Sequence, residues 1–316
     1  MDNDRRAGAV ASLRGLAVGD ALGSCFFIPS NLSALAARIL PPDPWWWTDD
    51  TEMACSVLTV LDRHGRIDQE ELAESFAAHH DFDRGYGPGV NRMLRLIRQE
   101  GGSWRELAAA GWGGRGSWGN GAAMRVAPLG AYYAHGAAAG RGGSVDDLLD
   151  RVATEAAASA EVTHTHPEGV AGAVAVAVAA ALAAARPDLS GEPLLRAVAA
   201  WTPAGQVRDG VSNAVNLLAL TDSRSAAAAL GNGKETSAQD TVPFCLWTVA
   251  KYSRSYVDAF WATADAGGDV DTNCAIVGGV VAARTGLAGI PEEWLRRCER
   301  LPDWAGVHEA EHGNDG

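Results

Sequence analysis

The sequence predicts an all-α fold built as a single compact multi-helix domain. Three observations carry that expectation. Alternating β-branched runs of useful length are absent; Ala, Leu, Arg and Glu recur in blocks compatible with helical faces; and Gly- and Pro-rich breaks separate the blocks. No repeat of fixed period occurs, which argues against a solenoid.

Helices are expected at about 6–22, 49–63, 68–80, 88–99, 120–135, 145–161, 167–186, 191–200, 207–219, 240–251, 254–265 and 271–286. The first is small and apolar but contains one acid, Asp20, within Gly15-Leu16-Ala17-Val18-Gly19-Asp20-Ala21-Leu22-Gly23. An unpartnered carboxylate there is costly, so Asp20 should pair internally or contact a ligand. The second opens on Thr48-Asp49-Asp50-Thr51 and continues as the apolar run Met53 to Leu58. The helix at 120–135 follows a Gly-rich loop and is expected to be capped near Asn120. That at 167–186 follows Thr163-His164-Thr165-His166 and starts on Pro167; that at 271–286 follows Gly267-Gly268-Asp269. Ala171 to Ala185 and Ala275 to Ala283 are rich in small residues, which permits close helix approach and suits the centre of a bundle. The remaining helices rest on periodicity.

Composition narrows the function classes. Apolar residues make up 47% and charged residues 21% of the 316-residue chain, enough for one large core and against extended disorder. The formal charge of −13, with 26 Lys and Arg against 39 Asp and Glu, opposes binding to a nucleic-acid backbone. A small anion is still acceptable where metal ions or backbone amides neutralise it. The five dispersed cysteines contain no C-x-x-C pair and read as reduced, mostly buried thiols. No apolar h-region precedes Arg14, and the Val170 to Ala185 stretch is short and weakly hydrophobic for a membrane span. A cytoplasmic protein that does not engage a membrane is expected, its helical domain covering residues 1–300 and a polar, frayed tail covering 301–316.

Two acidic clusters carry the chemistry. Thr48, Asp49, Asp50 and Thr51 gather hard oxygen donors in a small volume, which suits Mg²⁺ or a similar ion. A helix cap is the plainer account, because Asp49 with Glu52 three residues later resembles a capping box. Gly267-Gly268-Asp269-Val270-Asp271-Thr272-Asn273 shifts the balance by placing a second pair of carboxylates before a very apolar helix. Two such clusters meeting without cations would repel, so they are expected to face one another through metal. The loop Gly113 to Gly121 is neither a Walker A nor a dinucleotide-binding motif, but a Gly-rich loop leading into a helix can seat phosphate. His164 and His166 could bind a transition metal, but without a neighbouring Cys or carboxylate motif a structural or substrate-contacting role carries more weight.

Taken in order, Gly19-Asp20-Ala21-Leu22-Gly23, Thr48-Asp49-Asp50-Thr51, Ser117-Trp118-Gly119-Asn120-Gly121-Ala122-Ala123-Met124-Arg125, Thr163-His164 and Gly268-Asp269-Val270-Asp271-Thr272-Asn273 resemble the signature of the ADP-ribosylglycohydrolase family. The resemblance spans about 7 to 298. It implies an all-α domain with a dinuclear Mg²⁺ (or Mn²⁺) cleft, held by Thr48, Asp49, Asp50, Asp269, Asp271 and Thr272. It also implies substrate contacts from Asp20, Ser117, Gly119, Asn120, Gly121, Met124 and His164. The substrate implied is an ADP-ribosylated protein or a small ADP-ribosyl compound.

Cleavage at an anomeric carbon passes through an oxocarbenium-like state, and Asp49 or Asp50 is the expected base towards water. In serine-directed members of the family a glutamate follows the Gly-Asp-x-x-Gly turn closely, whereas Phe27 stands at about that place here. An arginine-type acceptor is therefore expected over serine. The competing readings are an ADP-ribose sensor or structural protein, since lens crystallins share the resemblance, and a hydrolase of a small metabolite. Of Trp45, Trp46 and Trp47, at least two are expected to pack the loop, and Trp112 and Trp118 flank the Gly-rich loop where they could touch a base.

Overall fold

The computed structural model describes residues 3–138, 144–219 and 222–307. Sixteen α-helices occur among them. They are α1 (Asn3–Ser24), α2 (Leu32–Ala37), α3 (Asp49–His64), α4 (Gln69–His79), α5 (Pro88–Glu100), α6 (Trp104–Gly114), α7 (Ala127–Ala138), α8 (Val145–Glu161), α9 (Pro167–Ala185), α10 (Gly191–Trp201), α11 (Gln206–Asn216), α12 (Ser223–Leu230), α13 (Ala238–Tyr252), α14 (Tyr256–Ala264), α15 (Val270–Thr285) and α16 (Glu292–Arg297). Among the described residues no strand forms, and the extended pairings are two isolated bridges, Trp45 with Cys298 and Gly119 with Ser237.

The all-α expectation holds, with one correction to the elements. Residues 120–135 do not form one helix: a single 3-10 turn, Asn120–Ala122, precedes a helix that begins at Ala127. Pro128 explains the late start. Proline lacks the amide proton and clashes with the preceding turn, so it favours the first turn of a helix, although α13 accommodates Pro243 inside it. Helices α2, α6, α12 and α16 were not expected, being short or interrupted by glycine. Two of them carry caps that the sequence spells out, Ser103 accepting from Glu106 N and Asp222 accepting from Arg224 N and Ser225 N.

The small-residue helices lie at the centre. Every residue from Ala171 to Ala183 on α9 and from Thr272 to Ala283 on α15 is buried. Helix α9 is long and apolar enough by composition to cross a membrane, yet 83% of its apolar window is buried inside the protein. Helices α1 and α15 touch backbone to backbone through Gly15, Gly19 and Gly23. A Cβ on Gly15 would meet the Gly278 carbonyl oxygen at 2.6 Å, and one on Gly23 would meet Asp271 Cα at 2.9 Å. This close approach brings Asp20, one residue after Gly19, up to the first turn of α15.

The three tryptophans divide as packing demands. Trp45 and Trp47 are buried and Trp46 is exposed. Trp45 bonds through its backbone to Arg297 and Glu299 and meets the Trp294 ring edge-on at 6.5 Å, tying the loop to the end of α16. Leu301, Ala305 and Val307 are also buried, while residues 308–316 of the expected tail lie outside the described residues. All five cysteines are free thiols, four of them buried.

Candidate active site

Three helix ends converge on one acidic cluster. Asp20 projects from α1, Asp49 and Asp50 open α3, and Asp269 and Asp271 open α15. One carboxylate oxygen each from Asp20, Asp50 and Asp271 lies within 4.8 Å of the others. Of the two roles open to Asp20, internal pairing is the one its contacts display. It has no exposed surface; Oδ2 accepts from Thr51 Oγ1 at 2.6 Å, Thr48 N at 2.9 Å and Thr51 N at 3.2 Å, and Oδ1 accepts from Thr48 Oγ1 at 2.8 Å. Asp20 thereby fixes the first turn of α3.

The cap of α3 is Thr48, whose hydroxyl accepts from Asp50 N at 3.4 Å, rather than Asp49. Glu52 makes no capping box either. Its carboxylate turns to the loop after α4, accepting from Tyr86 Oη at 2.7 Å and Asp81 N at 3.1 Å. With the cap supplied by Thr48, the carboxylates of Asp49 and Asp50 are left for other chemistry.

The electrostatics of the cluster call for a cation. Burial, then the Asp20 charge, pushes the Asp49 carboxyl up to about 8. Burial followed by the charges of Asp20, Asp271 and Asp49 holds Asp50 well above the usual carboxylate range. Asp271 is raised for the same reasons, with Asp269 its strongest charged neighbour. Asp20 reaches only about 6, because hydrogen bonds from Thr51 and Thr48 oppose its burial. Asp50 Oδ1 is a buried oxygen without a partner among the described residues. Several buried carboxylates with an orphaned oxygen among them fit a hard divalent ion, which supplies the missing positive charge and accepts oxygen donors at the same time. Thr272 is buried beside them, its amide donating to Asp271 Oδ1 at 2.7 Å.

The Gly-rich segment forms the next wall. Ser117 Oγ accepts from Gly119 N at 3.2 Å, and Asn120 Nδ2 donates to Asp269 Oδ2 at 2.7 Å and to Thr241 Oγ1 at 3.0 Å. Asn120 therefore joins the loop to the second acidic cluster. The predicted helix dipole behind this loop is absent, because α7 begins only at Ala127. Gly121 and Gly119 make room for the His164 ring, whose Nε2 would lie 3.1 Å and 3.2 Å from a Cβ at those positions. Met124 is buried, its sulfur 3.9 Å from where a Gly121 Cβ would be. His166 turns away from His164 to cap α9, accepting from Glu168 N at 3.1 Å, so the two do not form a metal pair. Trp112 and Trp118 stand together at the loop with ring centroids 6.3 Å apart and a 58° tilt.

Sequence reasoning missed the segment that stitches these walls. The Asn232 carbonyl accepts from Asp269 N at 3.0 Å and from Asn273 Nδ2 at 2.7 Å, and the Thr236 carbonyl accepts from Asn120 N at 3.2 Å. A signal existed, since Gly231-Asn232-Gly233 repeats the tripeptide Gly119-Asn120-Gly121. Arg84 was also missed. It pairs with both Glu299 oxygens, at 2.7 and 2.9 Å, and stacks 3.4 Å above the Trp47 ring, holding the loop whose Gly85 lies beside Asp49.

A family model described as ADP-ribosylglycohydrolase matches residues 1–313. ADP-ribosylhydrolase ARH3 of Homo sapiens is 29% identical to the chain, over 91% of this chain and 88% of its own length. ADP-ribosylarginine hydrolase Tri1 of Pseudomonas putida (strain GB-1) is 27% identical, over 93% and 74% respectively. Among solved structures, a chain of an ADP-ribosylglycohydrolase-related protein complex superposes with a TM-score of 0.62 at 23% identity, covering 96% of both chains, and shares the fold.

Proposed function

Because the chain belongs to the ADP-ribosylglycohydrolase family and is a glycosidic-bond hydrolase of ADP-ribosyl substrates, we propose that it releases ADP-ribose from an arginine-type side chain in a dinuclear metal site. The carrying observation is the convergence of Asp20, Asp50 and Asp271 on one point, with Asp50 Oδ1 unpartnered. Thr48, Asp49 and Asp50 would hold the ions, Mg²⁺ or Mn²⁺, from one wall, and Asp269, Asp271 and Thr272 from the other. When bound, such ions supply Lewis-acid charge that orients ribose hydroxyls and makes a water more acidic.

The chain's own residues divide the remaining work. Asp50 is sealed, which suits a ligand alone, whereas Asp49 is partly exposed and, besides holding an ion, suits the base that takes a proton from the attacking water. Ser117, Gly119, Asn120 and Gly121 line the diphosphate and ribose, and the Trp112 and Trp118 rings offer a stacking face for adenine. Acceptor choice rests on Phe27, which is 53% exposed at the end of a 3-10 turn after α1 and offers no carboxyl for a serine leaving group. The name of the Pseudomonas putida relative, an ADP-ribosylarginine hydrolase, supports the same acceptor.

The deciding experiment measures ADP-ribose release from arginine-, serine- and nucleic-acid-linked substrates, with Mg²⁺ and with EDTA. Metal-dependent release from the arginine-linked substrate is expected. Release from the serine-linked substrate alone would overturn the acceptor assignment, and tight ADP-ribose binding without release from any would favour a sensor.

A further inference from the structure

Arg125 has no exposed surface, and no carboxylate pairs with it among the described residues. Its guanidinium lies 4.5 Å over the Phe76 ring. Nη2 donates to the Ser159 carbonyl at 2.9 Å and to Thr163 Oγ1 at 3.0 Å, and Nη1 donates to the Gly121 carbonyl at 3.3 Å. Thr163 Oγ1 in turn lies 2.7 Å from His164 Nδ1. Placing a permanently charged, fully desolvated group here without a counter-ion is costly, so the contacts it makes are informative.

The direction of the chain of hydrogen bonds follows from the inventory of donors. Arginine has donors only, so Thr163 Oγ1 accepts from it. Among the described residues the hydroxyl has one other partner, His164 Nδ1; accepting there as well would leave its proton buried without an acceptor, so Nδ1 takes that proton in a hydrogen bond. A neutral imidazole that accepts at Nδ1 carries its proton on Nε2. Neutrality is enforced as well: burial, and after it the Arg125 charge, pushes His164 down to about 3. Nε2 faces Gly119 and Gly121 and has no hydrogen-bond partner among the described residues.

We propose that Arg125 and Thr163 are positioning residues that lock His164 as its Nε2–H tautomer, a neutral donor aimed at an oxygen of the ligand seated against Gly119, Asn120 and Gly121. The identity of that ligand as ADP-ribose rests on the function proposed above, whereas the tautomer does not. The Arg125 contact to the Gly121 carbonyl adds a second effect, since the same guanidinium sets both the donor and the loop it serves. A buried arginine thus acts on the ligand through two intermediaries without touching it.

The test is ring ¹H–¹⁵N spectroscopy on the full chain with ¹⁵N-labelled histidine, the His164 signal being assigned by its loss in His164→Gln. The wild-type protein is expected to show a protonated Nε2 and an accepting Nδ1. Thr163→Val keeps the side-chain shape but removes the donor; it should admit the Nδ1–H tautomer and weaken ADP-ribose binding to the Mg²⁺-loaded protein about tenfold. Thr163→Ser should restore both. A wild-type Nδ1–H tautomer overturns the proposal whether or not the variants fold, and so does an unchanged tautomer with unchanged affinity in Thr163→Val. An Nε2–H tautomer in a wild-type protein that fails to bind ADP-ribose upholds the relay and overturns the ligand reading instead.

Discussion

Gly19 and Cys274 mark a close backbone approach of α1 and α15: a Cβ on Gly19 would stand 2.2 Å from the Cys274 carbonyl oxygen. Backbone, not a flexible side chain, occupies that space, so neither helix can yield locally. Because Asp20 follows Gly19 and Asp271 sits a turn before Cys274, this contact sets the distance between two carboxylates of the acidic cluster.

Gly19→Ala is therefore expected to push the helices apart, costing about 1–3 kcal/mol by overpacking, and to lower hydrolysis more than loss of folded protein explains. Denaturant unfolding alongside activity per folded molecule checks this. Unchanged stability would mean that the two helices are not in direct backbone contact.

Asp50→Asn and Asp271→Asn each remove one charge from a cluster in which like charges crowd. Both should abolish hydrolysis while leaving the metal-free protein as stable as wild type or more so. Wild-type protein should gain about 2.7 kcal/mol at a Mg²⁺ concentration a hundredfold above Kd, and the variants should lose most of that gain. Thermal unfolding with and without Mg²⁺ reads both effects, and wild-type activity in either variant would refute the dinuclear site.

The pH dependence of the metal-free protein has a definite sign. Asp20 at about 6 and Asp49 at about 8 lie above the ordinary 3.8, as does Asp50, so in this window the folded state binds more protons than the unfolded chain. Stability contributed by these groups is present at low pH and lost as pH rises through the folded values. Melting temperature after EDTA treatment should fall from about pH 5 to about pH 8, and Mg²⁺ should cancel most of the fall. A rise over the same range in the metal-free protein would contradict the burial of these carboxylates.

The Arg84–Glu299 pair, with side chains 19% and 17% exposed, couples the loop beside Asp49 to the segment after α16. Glu299→Gln should cost about 1–2 kcal/mol, less than a fully buried pair. Amide exchange should quicken around Gly85 and Tyr86, and mass spectrometry of exchanged peptides gives the readout. Exchange confined to the C-terminal segment would show that Arg84 does not transmit the contact.

Much of this was legible because helices announce themselves locally. Thr48-Asp49-Asp50-Thr51 and Gly268-Asp269-Val270-Asp271 are compact motifs at helix starts, and their positions in the fold agree with their spacing in the chain. The start of α7 was legible too, since Pro128 disfavours a helix running through it, and the expectation of a helix from Asn120 overlooked that. The role of Asn232 was harder to find. Its carbonyl, not its side chain, accepts from Asp269 N, and a backbone acceptor leaves no mark on residue identity beyond the glycines around it.

What the sequence determined by itself was the helical class, the small-residue helices at the centre and the residue types of the acidic cluster, because periodicity, size and charge are properties of local sequence. What only the tertiary structure decided was which groups face one another. It set Asp20 beneath Thr48 and Thr51, 28 and 31 residues away, and Asn120 against Asp269, 149 residues away. It also set Arg125 behind Thr163 and His164. The reason is that partnership between distant carboxylates and donors depends on helix packing distances, here fixed by glycines whose missing side chains let two backbones meet, and no local pattern encodes the partner across that contact.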